Sequence, residues 1–208
     1  GNPTAKMPKS KIKKLQILKE KGIDHYPAKV ERDFDIKNLK ENFAGYKNSG
    51  KNISVAGRVL AIRGQGAILF AVLFDGTEKI QAIIKKDVLG DEAFDLFVDT
   101  ADMGDFISVT GKVDESKTGE PSIFAESWAF ASKSLLPLPE KWAGLTDVEE
   151  RYRKRYLDIL QDEELRDLII KKSKFWDVTR DFFKQRDFLE VETPVLEVTT
   201  GGAEARPF

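Results

Sequence analysis

The sequence predicts a mainly β protein with helices. It should form a five-stranded Greek-key barrel with helices before it, followed by the start of an incomplete α+β segment. Three observations predict this. Between residues 53 and 81, short apolar runs are separated by Gly64-Gln65-Gly66 and by Asp75-Gly76. Glycine supplies backbone angles that other residues avoid, and an Asp-Gly pair between apolar runs marks a hairpin, so the stretch reads as three strands. A helical stretch follows, then two more alternating runs at 106–113 and 120–131. Beyond Leu135-Leu136-Pro137-Leu138-Pro139 the texture changes to charge-dense helical sequence, which places a domain boundary at 133–146.

Composition limits the function classes. Among 208 residues, 34 are Lys or Arg and 35 are Asp or Glu, a net charge of −1. Any contact with nucleic acid must therefore be a local patch and not bulk attraction. Cysteine is absent, which excludes disulfides, thiolate zinc sites and a cysteine nucleophile. The single histidine, His25, lies in the turn-like Asp24-His25-Tyr26-Pro27, reads as a structural or surface residue, and argues against a histidine metal site or a Ser-His-Asp triad. No apolar run approaches the roughly 20 residues that span a bilayer, and no secretory signal is visible. The chain opens Gly1-Asn2-Pro3 without a methionine, which suits a processed start.

In chain order, residues 1–52 form a helical arm. Residues 1–9 are polar, proline-punctuated and expected to be mobile. A helix is predicted over 10–21, capped by Ser10 and ended by Gly22, with Ile12, Leu15, Ile17 and Leu18 as its apolar stripe. Its other face carries Lys11, Lys13, Lys14, Lys19 and Lys21: a solvated surface, or an arm contacting phosphates. Phe34, Ile36, Leu39 and Phe43 predict a second helix over 34–46. Residues 53–133 form the barrel. Its helix, over 87–103, buries Val88, Ala93, Phe94, Leu96 and Phe97, stops at Gly104 and plugs one open end. Ser116-Lys117-Thr118-Gly119 is a hairpin turn, and in the last strand Ile123 and Ala125 oppose Phe124, Trp128 and Phe130. Five strands with a helix between the third and fourth describe the oligonucleotide-binding (OB) barrel. Residues 134–146 are a linker. Residues 147–160 are helical, Asp162 caps a long helix to about 186, and 188–196 has a strand pattern in which Pro194 requires an edge or interface position. One helix and one strand cannot bury their own faces, so 147–208 reads as the start of a larger domain.

Three stretches together resemble class II lysyl-tRNA synthetases: Val55-Ala56-Gly57-Arg58 opening the barrel, Arg151-Tyr152-Arg153-Lys154-Arg155-Tyr156-Leu157-Asp158 after the Leu-Pro-Leu-Pro linker, and Phe188-Leu189-Glu190-Val191-Glu192-Thr193-Pro194 leading to Gly201-Gly202-Ala203-Glu204-Ala205-Arg206-Pro207-Phe208. The barrel opening is shared with aspartyl and asparaginyl synthetases, whereas the closing run is specific to the lysine member. The resemblance covers about residue 11 to the last residue, and Asp187 stands where the pattern has glycine.

The resemblance implies an anticodon-binding barrel. Phe70 would stack on the central uridine, Arg63 and Gln81 would hydrogen-bond its edge, and Glu120 would read the third anticodon base. The pattern alone leaves other readings open. Phe70 lies in Ile68-Leu69-Phe70-Ala71-Val72-Leu73-Phe74, where both faces are apolar and a core position is favoured; Gln81 should be exposed; Arg63 is a charge beside a glycine loop; Glu120 follows a turn. Val72 and Phe74 make the face around Phe70 more apolar than the family pattern.

In residues 147–208 the resemblance is to the first of three class II signature motifs, which implies a homodimer interface built by Pro194, Phe182 and Phe183, and places the Gly201 backbone beside bound lysine. The other two motifs, with their ATP-clamping arginines and magnesium carboxylates, are missing from the 208 residues. The expectation is an N-terminal fragment that binds tRNA but has no catalytic residue, metal ligand or cofactor of its own. It would belong to a cytoplasmic enzyme that uses ATP and magnesium to form lysyl-adenylate and pass lysine to its tRNA. The competing readings are a freestanding OB barrel binding single strands and a dimerisation module without catalysis.

Overall fold

The computed structural model describes residues 7–139 and 147–195. The chain divides into two units, Gly1–Glu140 and Lys141–Phe208. The first unit contains α1 (Lys9–Glu20), α2 (Ile36–Glu41), α3 (Phe43–Ser49), β1 (Ile53–Gln65), β2 (Ile68–Phe74), β3 (Lys79–Lys85), α4 (Lys86–Leu89), α5 (Asp91–Thr100), β4 (Phe106–Glu115) and β5 (Pro121–Ser132). The strands close a barrel in the order β1-β2-β3-β5-β4, with β4 pairing back onto β1. All ladders are antiparallel except β3 with β5.

One long strand, β1, serves two neighbours: residues 53–58 pair with β4 and residues 58–65 with β2, with a register shift between Val59 and Ala61. The interior is filled by the alternating inward residues, among them Val55, Val59, Ala71, Leu73, Ile80, Ala82, Ile84, Ile107, Val109, Ile123 and Phe130. Phe130 is a correction to the simple alternation expected for the last strand. The ladder skips from Gly111↔Ala125 to Thr110↔Ser127, so Glu126 is an extra residue, and just beyond this bulge Trp128 and Phe130 face inward. Gly111 lies opposite the bulge, where a Cβ would overlap the carbonyl oxygen of Phe124.

The helix expected over 87–103 is two helices. Gly90, at φ +87, separates α4 from α5, and α5 ends at Thr100, short of Gly104. Phe94 and Phe97 of α5 are buried, while Val88 is exposed. Phe97 and Phe130 each meet the Trp128 ring edge-to-face at 5.0 Å, and Trp128 Nε1 donates to the Ala93 carbonyl at 3.0 Å. The helix expected over 34–46 also divides, because Asn42 leaves helical angles; Asp35 caps α2 by accepting from Asn38 N at 2.7 Å.

The N-terminal residues do not stand off as an arm, since Leu18, Ile36 and Leu39 belong to the same core as the barrel. In α1, Ser10 is not the cap: the helix begins at Lys9, after Pro8. Of residues 1–9, those at 1–6 lie outside the described residues. The inward positions are Lys11, Lys14, Leu15 and Leu18, spaced as one helical face, while Ile12 is exposed. The lysine face is therefore split between a solvated side and a buried one. Lys14 Nζ reaches Asp102 Oδ1 at 2.6 Å, and Lys11 Nζ donates to the Ser134 carbonyl at 3.1 Å. Behind them, Lys133 Nζ donates at 2.8 Å to both Asp102 Oδ2 and Asp105 Oδ2. Burial pushes Asp105 above its ordinary value despite Lys133, whereas in Asp102 the bonds from Lys133 and Lys14 outweigh burial and hold it low. His25 is half-buried, and its carbonyl accepts from Lys133 N at 3.0 Å.

Asp75 of the β2–β3 turn has a second task. Its Oδ2 accepts from Ile36 N at 2.8 Å, fastening the start of α2, while Oδ1 accepts from Thr77 N at 2.9 Å and Thr77 Oγ1 at 2.7 Å. Burial raises this carboxyl, but the donors from Ile36, Thr77 and Glu78 win and hold it below its ordinary value.

The second unit contains α6 (Val148–Arg153), α7 (Arg155–Gln161) and α8 (Glu163–Lys184). Asp147 caps α6 and Asp162 caps α8, each through its carboxylate. Asp158 is buried between two arginines: Oδ1 accepts from Arg151 Nε and Oδ2 from Arg155 Nη1, both at 2.8 Å. Arg151 Nη2 also reaches Asp162 Oδ2 at 2.8 Å, so one guanidinium ties α6 to the cap of α8. After α8, Asp187 N bonds to Lys184 O and Phe188 N to Phe183 O, with Asp187 at φ +61. This is the left-handed helix stop that ordinarily takes glycine, and it accounts for the position where the sequence departs from the family pattern. The strand expected over 188–196 is not formed at 188–195. An extended segment needs a neighbour for its backbone N–H and C=O groups, and no described segment of this unit supplies one. Among the described residues no helix is long and apolar enough to cross a membrane.

Three stability outcomes follow from these contacts. Gly111→Ala should cost at least about 2 kcal/mol in urea denaturation, because the obstructing atom is backbone; a cost below about 0.5 kcal/mol would refute the close approach. Asp75→Asn should lose about 1–3 kcal/mol at pH 7. The folded Asp75 carboxyl titrates below its unfolded value, so its stabilisation is present above that value and fades as pH falls through the folded one. The gap between variant and parent should close below about pH 4, and a gap unchanged at pH 3 counts against the linkage. Asp187→Val should be less stable than Asp187→Gly by about 1–2 kcal/mol, read by thermal melts.

Candidate nucleic-acid interface

The outer face of the barrel is assembled by register. Leu69, Ala71 and Leu73 of β2 point inward, so Phe70, Val72 and Phe74 point out. Cross-strand pairing then sets two parallel rows. Arg63 of β1 pairs with Phe70, Phe70 with Ile83 of β3, and Ile83 with Phe124 of β5. In the next row, Val72 pairs with Gln81 and Gln81 with Ser122.

Phe70 is thus on the outside of the barrel, half-buried, and is not the core residue its apolar surroundings favour. Its cross-strand neighbour Ile83 is only 4% exposed although it lies outside the core cluster. On the far side of Ile83, Lys85 Nζ sits 5.4 Å from the centroid of the Phe124 ring. Arg63 is exposed at the rim, next to Gly64 at φ +117. A Cβ on Gly64 would overlap the Ile68 carbonyl oxygen, so the tight hairpin carrying Arg63 beside Phe70 depends on that glycine.

Gln81 differs from expectation: it is half-buried and not free in solvent. Its Nε2 donates to Ser122 Oγ at 3.1 Å, and Ser122 Oγ donates to the Glu120 carbonyl at 2.9 Å. The Glu120 side chain is exposed while its backbone is anchored. Its N donates to Ser116 Oγ at 3.0 Å, and its carbonyl also accepts from Ser116 N at 2.8 Å. Arg63, Phe70 and Gln81 therefore share one outer surface, and Glu120 joins it through the Ser122 hydroxyl. An aromatic face with a guanidinium and an amide on the same surface offers stacking together with donors and acceptors to an unpaired base.

Sequence reasoning missed Ser122 and the Ile83–Phe124 row. Their link to Gln81 and Phe70 depends on the parallel β3–β5 register, which sequence alternation within one strand does not reveal. In the second unit, Phe182 and Phe183 are 49% and 46% exposed, and Pro194 is exposed. Trp176, Phe183, Phe188 and Leu189 line an open groove beside the C-terminal turn of α8. Gly201 lies outside the described residues. Among the described residues, no group of three or more His, Asp or Glu is placed to hold a metal ion.

Comparison with known proteins agrees with this architecture. The OB-fold nucleic acid binding domain family of tRNA anticodon modules matches residues 53–130, and the class II tRNA synthetase family for D, K and N matches residues 147–208. Lysine–tRNA ligase 2 of Methanosarcina mazei is 44% identical over 200 residues, covering 96% of this chain and 39% of that protein. Lysine–tRNA ligase of Thermotoga maritima is 42% identical over 202 residues, covering 95% of this chain and 40% of that protein. The Clostridium perfringens lysine–tRNA ligase is 46% identical over 196 residues, covering 94% and 38%. The chain thus spans about 40% of the length of these curated relatives. It carries an OB-fold module of the tRNA anticodon type followed by sequence of the class II tRNA synthetases for D, K and N, and along nearly all its length it is similar to lysine–tRNA ligases.

Proposed function

We propose that the outer face of this barrel reads the anticodon of a lysine tRNA. Phe70 stacks on the central uridine, Arg63 and Gln81 bond its edge, and Glu120 reads the third base. Residues 53–133 act as the anticodon-binding domain, 134–146 as a linker and 147–208 as the opening of the catalytic domain. The observation that carries this reading is the placement of Arg63, Phe70 and Gln81 on a single outer surface, with the aromatic ring only half-covered. A freestanding single-strand-binding barrel is disfavoured, because the class II match over 147–208 has no place in it.

The whole protein, on this reading, is a cytoplasmic homodimeric ligase. It activates the lysine carboxylate with ATP in the presence of magnesium and transfers lysine to the tRNA. The exposed rings of Phe182 and Phe183 on α8, together with Pro194, support a dimer contact, since so much apolar surface on one helix calls for a cover. Gly201 would border the lysine site.

Anticodon stem-loops differing only in the central base test the proposal. A loop with central uridine should bind more tightly than the other three. Phe70→Ala should weaken the uridine loop by about 1–3 kcal/mol, since one stacked base is lost. Equal affinity for all four bases rules the reading out.

A further inference from the structure

The bond between Gln81 and Ser122 has a polarity that a pyrimidine would feel. Ser122 is fully buried, and its hydroxyl has one proton. The Glu120 carbonyl can only accept, so at 2.9 Å it takes that proton. The group of Gln81 that meets Ser122 Oγ at 3.1 Å must then donate, which makes it Nε2 and not Oε1. Only this arrangement satisfies both bonds, so the flip of the Gln81 amide is set by the network. The Glu120 carbonyl is held in place by Ser116, whose N–H takes one lone pair and leaves the other for the Ser122 hydroxyl.

The carboxamide is planar, with oxygen and nitrogen on opposite sides. With Nε2 bonded to Ser122 on β5, Oε1 is turned away from Ser122, and the strand on that other flank of β3 is β2, which carries Phe70. An amide held this way presents an acceptor. Uracil offers a donor at N3–H, between two carbonyl acceptors within reach of a guanidinium. Cytosine offers a bare acceptor at N3, which an amide oxygen repels. A freely flipping glutamine would serve either base, because its NH₂ could donate to the cytosine N3.

We infer that Ser122 is a positioning residue that locks the Gln81 amide with its oxygen outward, and so makes the barrel discriminate uridine from cytidine at the stacked position. This rests on the anticodon reading proposed above, and deepens it by naming the residue that sets the choice between two pyrimidines.

The test uses the 208-residue chain and two anticodon stem-loops with uridine or cytidine at the centre. The parent should prefer uridine. Ser122→Ala should reduce that preference by about five-fold or more, mainly through tighter cytidine binding, because the freed amide can flip. Ser122→Thr, which keeps the hydroxyl, should retain the preference. In the parent, the Gln81 side-chain amide should give two resolved proton signals with one slowed in exchange, and the alanine variant should lose that protection. If the parent discriminates and Ser122→Ala keeps the same ratio, or weakens both loops equally, the positioning role is wrong while the anticodon reading stands. A Gln81 amide unprotected in the parent also overturns it. A parent blind to the base overturns both.

Discussion

Three residue pairs hold the architecture together. Gln81↔Ser122, Ala82↔Ile123 and Ile83↔Phe124 are the whole ladder between β3 and β5, and this short parallel join closes the barrel. Closure leaves these strands without an open edge and obliges every side chain along them to face either the interior or the exterior of the barrel. The same three pairs divide the labour. Ala82 and Ile123 are buried in the core, while Gln81, Ile83, Ser122 and Phe124 face outward beside Phe70. The candidate interface is the exterior of the join that makes the fold possible.

A second constraint seats the N-terminal helix. Two lysines of α1 point at the barrel, and the acid that receives both, Asp102, lies in the turn between α5 and β4. Burying charge is costly unless each group is paired and hydrogen-bonded. Asp105 meets this condition: its two oxygens accept from Lys133 Nζ, Asp102 N and Ser134 N. Such a cluster adds little net stability over an apolar contact; α1 joins it through Lys11 and Lys14. The chain leaving β5 is gathered into the same knot through Lys133 and Ser134.

The second unit is built on other terms. Its polar framework is complete, with Asp147 and Asp162 as caps and Asp158 held by two arginines. Its apolar framework is open: α8 has no buried residue, although Phe175, Trp176, Phe182 and Phe183 lie along it. Local hydrogen bonding sets where each helix begins and ends, and the covering of their faces is left to surfaces beyond the described residues of this unit.

Much of this was legible in the residues alone. The strands of the barrel, the turns at Gly64-Gln65-Gly66 and Asp75-Gly76 and the cap at Asp162 all follow from local rules: alternation, glycine freedom and side-chain capping. Where prediction failed, a distant partner decided. Lys11 and Lys14 read as part of a solvated face or a phosphate-contacting arm until Asp102 is brought to them across the fold. Phe130 changes face because of a bulge opposite Gly111, and 188–195 makes no strand for want of a neighbour. Gln81 reads as a free amide until the parallel ladder sets Ser122 beside it. By itself the sequence determined which segments become strands and helices, because those choices depend on residues a few positions apart. Only the tertiary structure decided which side chains meet, because register across strands and the pairing of buried charges depend on residues brought together by closure of the barrel.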